Sequence, residues 1–227
     1  MVVPRRQLVV LARWPAPGRC KRRLAASCGS SRAAAAVQNA LNTHTLAVAR
    51  AGAEKAGAAL WLAADGLGAR ACERWGRQLG GVSCHSQGEG RLGTRLQRQW
   101  LRAFRAGTEQ VVLIGSDLPQ LEAGDCVAAF EALERQPLVI GPASDGGYWL
   151  IGLNRAGFAR AGARLVSGIP WGGPEVLDRT TAAASTLGLA AHLLRRQSDL
   201  DQRLDLAPWQ GQPQRARSAL AMGCIVA

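Results

Sequence analysis

Seven short apolar runs punctuate the chain, each ending in polar or glycine-rich residues: QLVVLA (7–12), AALWLAAD (58–65), the weaker GVSCHSQ (81–87), QVVLIGSD (110–117), PLVIGPASD (137–145), GYWLIGL (147–153) and AHLLRRQSD (191–199). Between them lie stretches of helical length, among them SSRAAAAVQNALNTHTLAVARAG, GARACERWGRQLG, GTRLQRQWLRAFRAG, AGDCVAAFEALE and PEVLDRTTAAAST. Strands that are apolar almost throughout are buried on both faces, and their regular alternation with helices predicts a three-layer α/β fold around a mainly parallel, mixed sheet. Right-handed crossovers then gather the ligand loops at the carboxyl ends of the strands. At 227 residues and 48% apolar, the chain has material for one good-sized core and does not need two. A single domain is expected over 1–206, followed by a weakly patterned tail, 207–227, that is either a packed turn or partly disordered.

The polar residues that end the runs fall on one rim. After the first run comes PAPGRCKRRL (15–24), where two prolines and a glycine stop the strand and Lys21, Arg22 and Arg23 stand in what should be the first turn of a helix. Cations are disfavoured there by the helix dipole, so an anion is the natural complement. Pro17, Gly18 and Arg19 with Lys21 and Arg23 read as a phosphate cradle, although the loop lacks the Walker spacing; a solvated basic turn is the other reading. Ser116 and Asp117 end a buried strand, and Asp117 is either a ligand of Mg²⁺ or Mn²⁺ beside a nucleotide or a helix N-cap. Asp145, followed by Gly146 and Gly147, is a second strand-end carboxylate or a hairpin turn. Asp199 and Asp201, two apart on an extended segment, suit one metal ion or a solvated acidic turn.

Gly88, Gly90 and Gly93 satisfy the dinucleotide spacing GxGxxG, but the run before them is polar for a central strand and the turn carries Glu89 and Arg91. The three histidines share no ligand spacing, and the six cysteines lie too far apart for a zinc site, so they read as reduced thiols. A net charge of +12 favours an anionic ligand; 26 of the 28 basic residues being arginine also fits a GC-rich genome. No apolar run approaches membrane-spanning length and no signal-peptide core is visible, so no membrane insertion and a cytoplasmic location are expected.

Taken in order, LARWPAPGRCKRRLA, QGEGRLGTRL, IGSDLPQL, GPASDGGYWLIGL, GIPWGGPEVL and SDLDQRLDL resemble a bacterial family of GT-A-fold transferases labelled selenodomain-associated or arsenosugar-biosynthesis glycosyltransferases. That family is in turn similar to the 2-phospholactate guanylyltransferases and the molybdenum-cofactor nucleotidyltransferases. The resemblance spans about residues 7–206 and departs from the pattern at Glu89, Arg91 and Arg203. It implies that Gly18, Lys21 and Arg23 bind phosphates, with Gly90 and Ser116 also on the nucleotide. It further implies that Asp117, Asp199 and Asp201 hold the metal, and that Asp145, Gly146, Gly147 and Trp171 face the acceptor, Asp145 being placed for a catalytic base. The leading expectation is a metal-dependent glycosyltransferase moving a sugar from a nucleotide-sugar to a small-molecule acceptor. The alternatives are a nucleotidyltransferase joining an NTP to a phosphorylated acceptor and, from another class, a basic nucleic-acid-binding module. The last predicts basic and aromatic residues interleaved on one face, whereas the motifs here are acidic and lie at strand ends. Oligomeric state is not encoded in any of these features.

Overall fold

The computed structural model describes residues 4–201 and Asp205. Arg203, Cys224 and the tail 207–227 lie outside the described residues. Each apolar run forms a strand: β1 (Arg6–Arg13), β2 (Ala58–Asp65), β3 (Ser83–Ser86), β4 (Gln110–Gly115), β5 (Leu138–Pro142), β6 (Tyr148–Asn154) and β7 (Ala191–Leu193). They make one sheet in the order β3-β2-β1-β4-β6-β5-β7, with β1 in register with both neighbours, Val9 beside Trp61 and Leu113. Only β6 runs against its neighbours, because the five residues between β5 and β6 leave no room for a crossover. Gly146 makes that tight return possible: its φ is 88°, and a side chain there would meet the Pro174 carbonyl oxygen at 2.0 Å.

The helices are α1 (Arg22–Cys28), α2 (Ser31–Ala56), α3 (Ala69–Gln78), α4 (Leu92–Arg105), α5 (Ala123–Arg135), α6 (Arg155–Ala161) and α7 (Val176–Thr186). Ser30 caps α2 by accepting a hydrogen bond from the Ala33 amide, and Gly57, in the left-handed region, ends it. One face of the sheet is covered by α2, α3 and α5 through Leu46, Trp75 and Phe130, the other by α4, α6 and α7 with the 3₁₀ turn Gly162–Val166, through Trp100, Ala161, Leu165 and Ala184. The short helix α6 goes beyond the sequence expectation; its signal is Asn154, whose side chain accepts from the Gly157 amide at 2.8 Å.

The last run departs from expectation. A strand predicted over 191–199 pairs only through Leu193, followed by a single bridge between Ala143 and Gln197. Arg195 leaves the sheet edge to form two charged hydrogen bonds with Asp125 of α5, at 2.6 and 2.7 Å, and that turn ends the ladder. Successive connections carry the chain outward from β1 to β2 and β3, then back across β1 to β4. This reversal opens a crevice at the carboxyl ends of β1 and β4, the place where open α/β sheets bind ligands. No helix among the described residues is long and apolar enough to cross a membrane.

Candidate functional site

A cleft of about 880 Å³ opens at that crevice. The loop after β1 contributes Gly18, Arg19, Lys21, Arg22 and Arg23; the end of β4 contributes Ser116 and Asp117; the β5–β6 turn contributes Asp145 and Gly147. Asp199 and Asp201 come from the segment after β7, and Trp171 from the loop before α7. Five stretches distant in sequence thus share one cavity. Pro17, Gly90 and Gly146 do not line it: Gly146 backs onto Pro174 instead, and its carbonyl oxygen accepts from the Leu177 amide at 2.9 Å.

The cations of the β1 loop divide sharply. Arg19, Arg22 and Arg23 are exposed, while the Lys21 side chain is only 2% exposed. Its ammonium donates to the Leu200 carbonyl oxygen, to Asp117 Oδ2 at 2.9 Å and to Asp201 Oδ1 at 3.2 Å. Those three acceptors use all three of its donors. Burial opposes the charge on Lys21, but the charges and hydrogen bonds of Asp117 and Asp201 outweigh it, and the ammonium titrates above its ordinary value. Arg23 reaches Asp201 Oδ2 more loosely, at 3.5 Å.

Asp117 is held from beneath as well. Its Oδ1 accepts from Gln38 Nε2 at 3.1 Å; Gln38 also reaches Asn42 Oδ1, and Asn42 in turn donates to the Arg13 carbonyl at 3.0 Å. Thr45 donates to the Ser116 carbonyl at 3.2 Å. Gln38, Asn42 and Thr45 sit on the buried face of α2 at successive turns, polar residues in an otherwise Ala- and Leu-rich stripe. Sequence reasoning passed over this ladder, although its polar spacing on an apolar face was a readable signal. The carboxylates across the cleft are less well supplied. Asp145 Oδ1 accepts from the Gly147 amide at 2.8 Å, and Asp199, caught between burial and the charges of Asp145 and Asp201, is pushed up to about 6. Tyr148 packs edge-on against Trp171 at 6.0 Å and both rings line the same side.

The opposite end, at the carboxyl ends of β2 and β3, was missed by sequence reading. Asp65 there is flanked by Arg13 at 3.0 Å and Arg95 of α4 at 2.8 Å, one on each oxygen, with Gln87 and Leu92 alongside. The glycine turn that carries the dinucleotide spacing follows the edge strand β3. Gly93 serves packing: a side chain there would meet the Val166 carbonyl oxygen at 2.3 Å and the Trp171 ring at 3.1 Å.

Among the described residues no three His, Cys, Asp or Glu side chains gather into an all-protein metal cage. Mg²⁺ and Mn²⁺ need less than that, since one or two carboxylates and the substrate's phosphates complete their shell. The donors present suit such an ion. Lys21 is itself a cation seated among three hard oxygens, and four carboxylates, those of Asp117, Asp145, Asp199 and Asp201, line this part of the cleft.

Residues 45–173 match the family described as an uncharacterized protein conserved in bacteria, DUF2064. The chain belongs to this family. No curated protein matches it in sequence. In structure it is similar to a Desulfovibrio desulfuricans G20 protein provisionally named a nucleotide-diphospho-sugar transferase, at 26% identity and a TM-score of 0.81 over 96% of this chain and 93% of that one. It also shares its fold with CMP:2-keto-3-deoxy-manno-octonic acid synthetase complexed with CTP, at 12% identity and a TM-score of 0.55 over 95% of this chain and 99% of that one. A further match is the 4-diphosphocytidyl-2C-methyl-D-erythritol synthase of Anaerococcus prevotii, at 9% identity and a TM-score of 0.56 over 92% and 99%. The fold of this DUF2064 chain is therefore that of nucleotide-diphospho-sugar transferases and cytidylyltransferases.

Proposed function

We propose that this chain is a nucleotide-using transferase, and that it moves a sugar from a nucleotide-sugar donor to a small-molecule acceptor. The observation that carries this reading is the make-up of the cleft: three exposed arginines at the β1–α1 junction and the carboxylates at the strand ends line one cavity at the sheet's switch point. Arg19, Arg22 and Arg23, presented by Pro17 and Gly18, engage the donor's phosphates through charge-assisted hydrogen bonds. Asp117, Asp199 and Asp201 hold Mg²⁺ or Mn²⁺, which when bound neutralises charge building on the leaving phosphates. Ser116, buried at the end of β4, sets the orientation of Asp117. Gly147 and Trp171 border the acceptor, and Asp145, whose Oδ1 accepts from the Gly147 amide, takes the proton from the attacking hydroxyl. Gly90 and Gly146, outside the cleft lining, keep structural roles. The single domain expected over 1–206 is the unit that carries the reaction.

The motif order that resembles arsenosugar-biosynthesis glycosyltransferases, and the similarity to a protein named as a nucleotide-diphospho-sugar transferase, support a sugar donor. The cytidylyltransferase fold supports a second reading, in which a nucleoside triphosphate is joined to a phosphorylated acceptor with release of pyrophosphate. Four carboxylates in the cleft speak against a nucleic-acid backbone as the ligand. Nucleotides and nucleotide-sugars screened for Mg²⁺-dependent thermal stabilisation test the class, since a ligand at 100 times its Kd adds about 2.7 kcal/mol. No stabilisation by any of them sinks the reading. Asp145→Asn then separates the two reactions. A glycosyltransferase loses roughly 10² or more in kcat with donor affinity kept, as for loss of a general base, whereas a nucleotidyltransferase shows mainly a raised acceptor KM.

A further inference from the structure

Lys21 is the only non-glycine residue among those described with a left-handed backbone, at φ 45° and ψ 48°. Side chains other than glycine avoid that region, and it persists where the surroundings over-determine it. What holds it here is the ammonium, buried and bonded to the Leu200 carbonyl, Asp117 and Asp201. Its sequence neighbours Arg19, Arg22 and Arg23 stay exposed. The oxygens around Lys21 are the hard donors that a divalent cation selects, and two of them belong to the aspartates proposed above to hold that cation. An ammonium bonded to Asp117 Oδ2 and Asp201 Oδ1 competes with a divalent ion for those two oxygens, since like charges drawn to the same pair repel.

The geometry points to Lys21 as a built-in counter-ion that competes with the divalent cation for Asp117 and Asp201, so that metal loading expels the ammonium from its buried seat toward the phosphates the metal brings with it. This rests on the transferase reading for the phosphates, but the exchange at the two carboxylates is a property of this chain and the metal alone. Without metal, Lys21 offsets part of the charge of the pair and ties Leu200, itself buried against Leu24, Val37 and Leu41, to the end of β4. With metal, the released ammonium gains a new partner in the donor phosphate, where lysine acts as a point charge. The two carboxylates are thereby held in place before substrate arrives.

The test uses the fact that Lys21 and Lys55 are the only lysines in the chain, Lys55 lying exposed in the last turn of α2. Pulsed acetylation of the full chain, read by peptide mass spectrometry, is run without metal, with saturating Mn²⁺, and with Mn²⁺ plus a nucleoside diphosphate. Lys21 is expected to be strongly protected without metal, to label tenfold or more faster with Mn²⁺ alone, and to be protected again when the diphosphate is added, while Lys55 stays constant. Labelling of Lys21 that ignores Mn²⁺ overturns the proposal. As a second measurement, Lys21→Met, shown folded by circular dichroism, should bind Mn²⁺ about tenfold more tightly than the wild type by electron paramagnetic resonance; equal or weaker binding overturns it too. If the variant does not fold, the wild-type labelling decides. Calorimetry with the nucleoside diphosphate is run in parallel: no binding there would sink the transferase reading, while the Mn²⁺-alone labelling would still judge Lys21.

Discussion

Besides its backbone bonds, the segment 195–201 is pinned to the body of the protein by two sets of ion pairs, and the two are built differently. At Arg195, a guanidinium forks onto both oxygens of Asp125, at 2.6 and 2.7 Å, while Gln197 Nε2 adds a third bond at 3.1 Å to a carboxylate that is 8% exposed. At Asp201 the burial is reversed: the cation, Lys21, is buried, and its carboxylate partners Asp117 and Asp201 are 40% and 39% exposed, facing the cleft. A buried carboxylate whose oxygens are all bonded to the chain has nothing left to offer a ligand. Open carboxylates over a buried cation keep lone pairs turned toward the cavity. The first arrangement serves stability and the second keeps chemistry available, although both tie down the same seven residues.

The largest effect should separate the pins outright. Asp117→Asn is expected to lower kcat/KM by roughly 10² or more, in the range for loss of a preorganised charged group, in a chain that still folds because Asp201 and the Leu200 carbonyl keep Lys21 bonded. Wild-type turnover in that variant, with unchanged metal dependence, would show that Asp117 only shapes the strand end. Asp125→Asn should do the opposite. Loss of the paired charge costs roughly 1.5 to 3 kcal/mol of stability, seen as a drop of several degrees in Tm, while kcat per folded molecule is kept; a loss of activity at full stability would erase the contrast.

A smaller change sharpens the account of Asp117. Gln38→Leu removes the donor to its Oδ1 and should cost about 0.5 to 1.5 kcal/mol, read as a roughly two- to tenfold fall in kcat with donor affinity held. An unchanged kcat would mean that Lys21 alone positions the carboxylate. A last effect concerns pH. Asp199 is raised to about 6 by burial first and then by Asp145 and Asp201, so without metal the folded protein keeps a proton that the unfolded chain has already lost. Its contribution to stability is full below the ordinary carboxylate range, declines as pH rises toward 6, and is level above. The Tm of the wild type relative to Asp199→Asn should follow that course. Carboxylate titration by NMR should place Asp199 near 6 and show it moving down in Asp145→Asn; a titration in the ordinary range would remove the like-charge crowding from this side of the cleft.

By itself the sequence determined the layers and the rim. Short apolar runs without polar alternation, bounded by turn residues and alternating with helical stretches, read as strands covered on both faces, and their ends carry Arg19, Ser116, Asp117, Asp145 and Asp201 into one cleft because a parallel sheet aligns its carboxyl ends. Local patterning also foretold the tight return at Asp145 and Gly146, since it depends on residues next to one another. What only the tertiary structure decided was pairing across long separations. Nothing in PAPGRCKRRL reveals that Lys21 alone of its cations is buried, because its acceptors lie 96 to 180 positions away, at Asp117, Leu200 and Asp201. The same holds for Asp65 between Arg13 and Arg95, and for Arg195, whose reach to Asp125 cuts short a strand that its own sequence favoured. A charge's partner is fixed by where the sheet order sets it down, and burial then decides whether that charge is held within the protein or left to face the cleft.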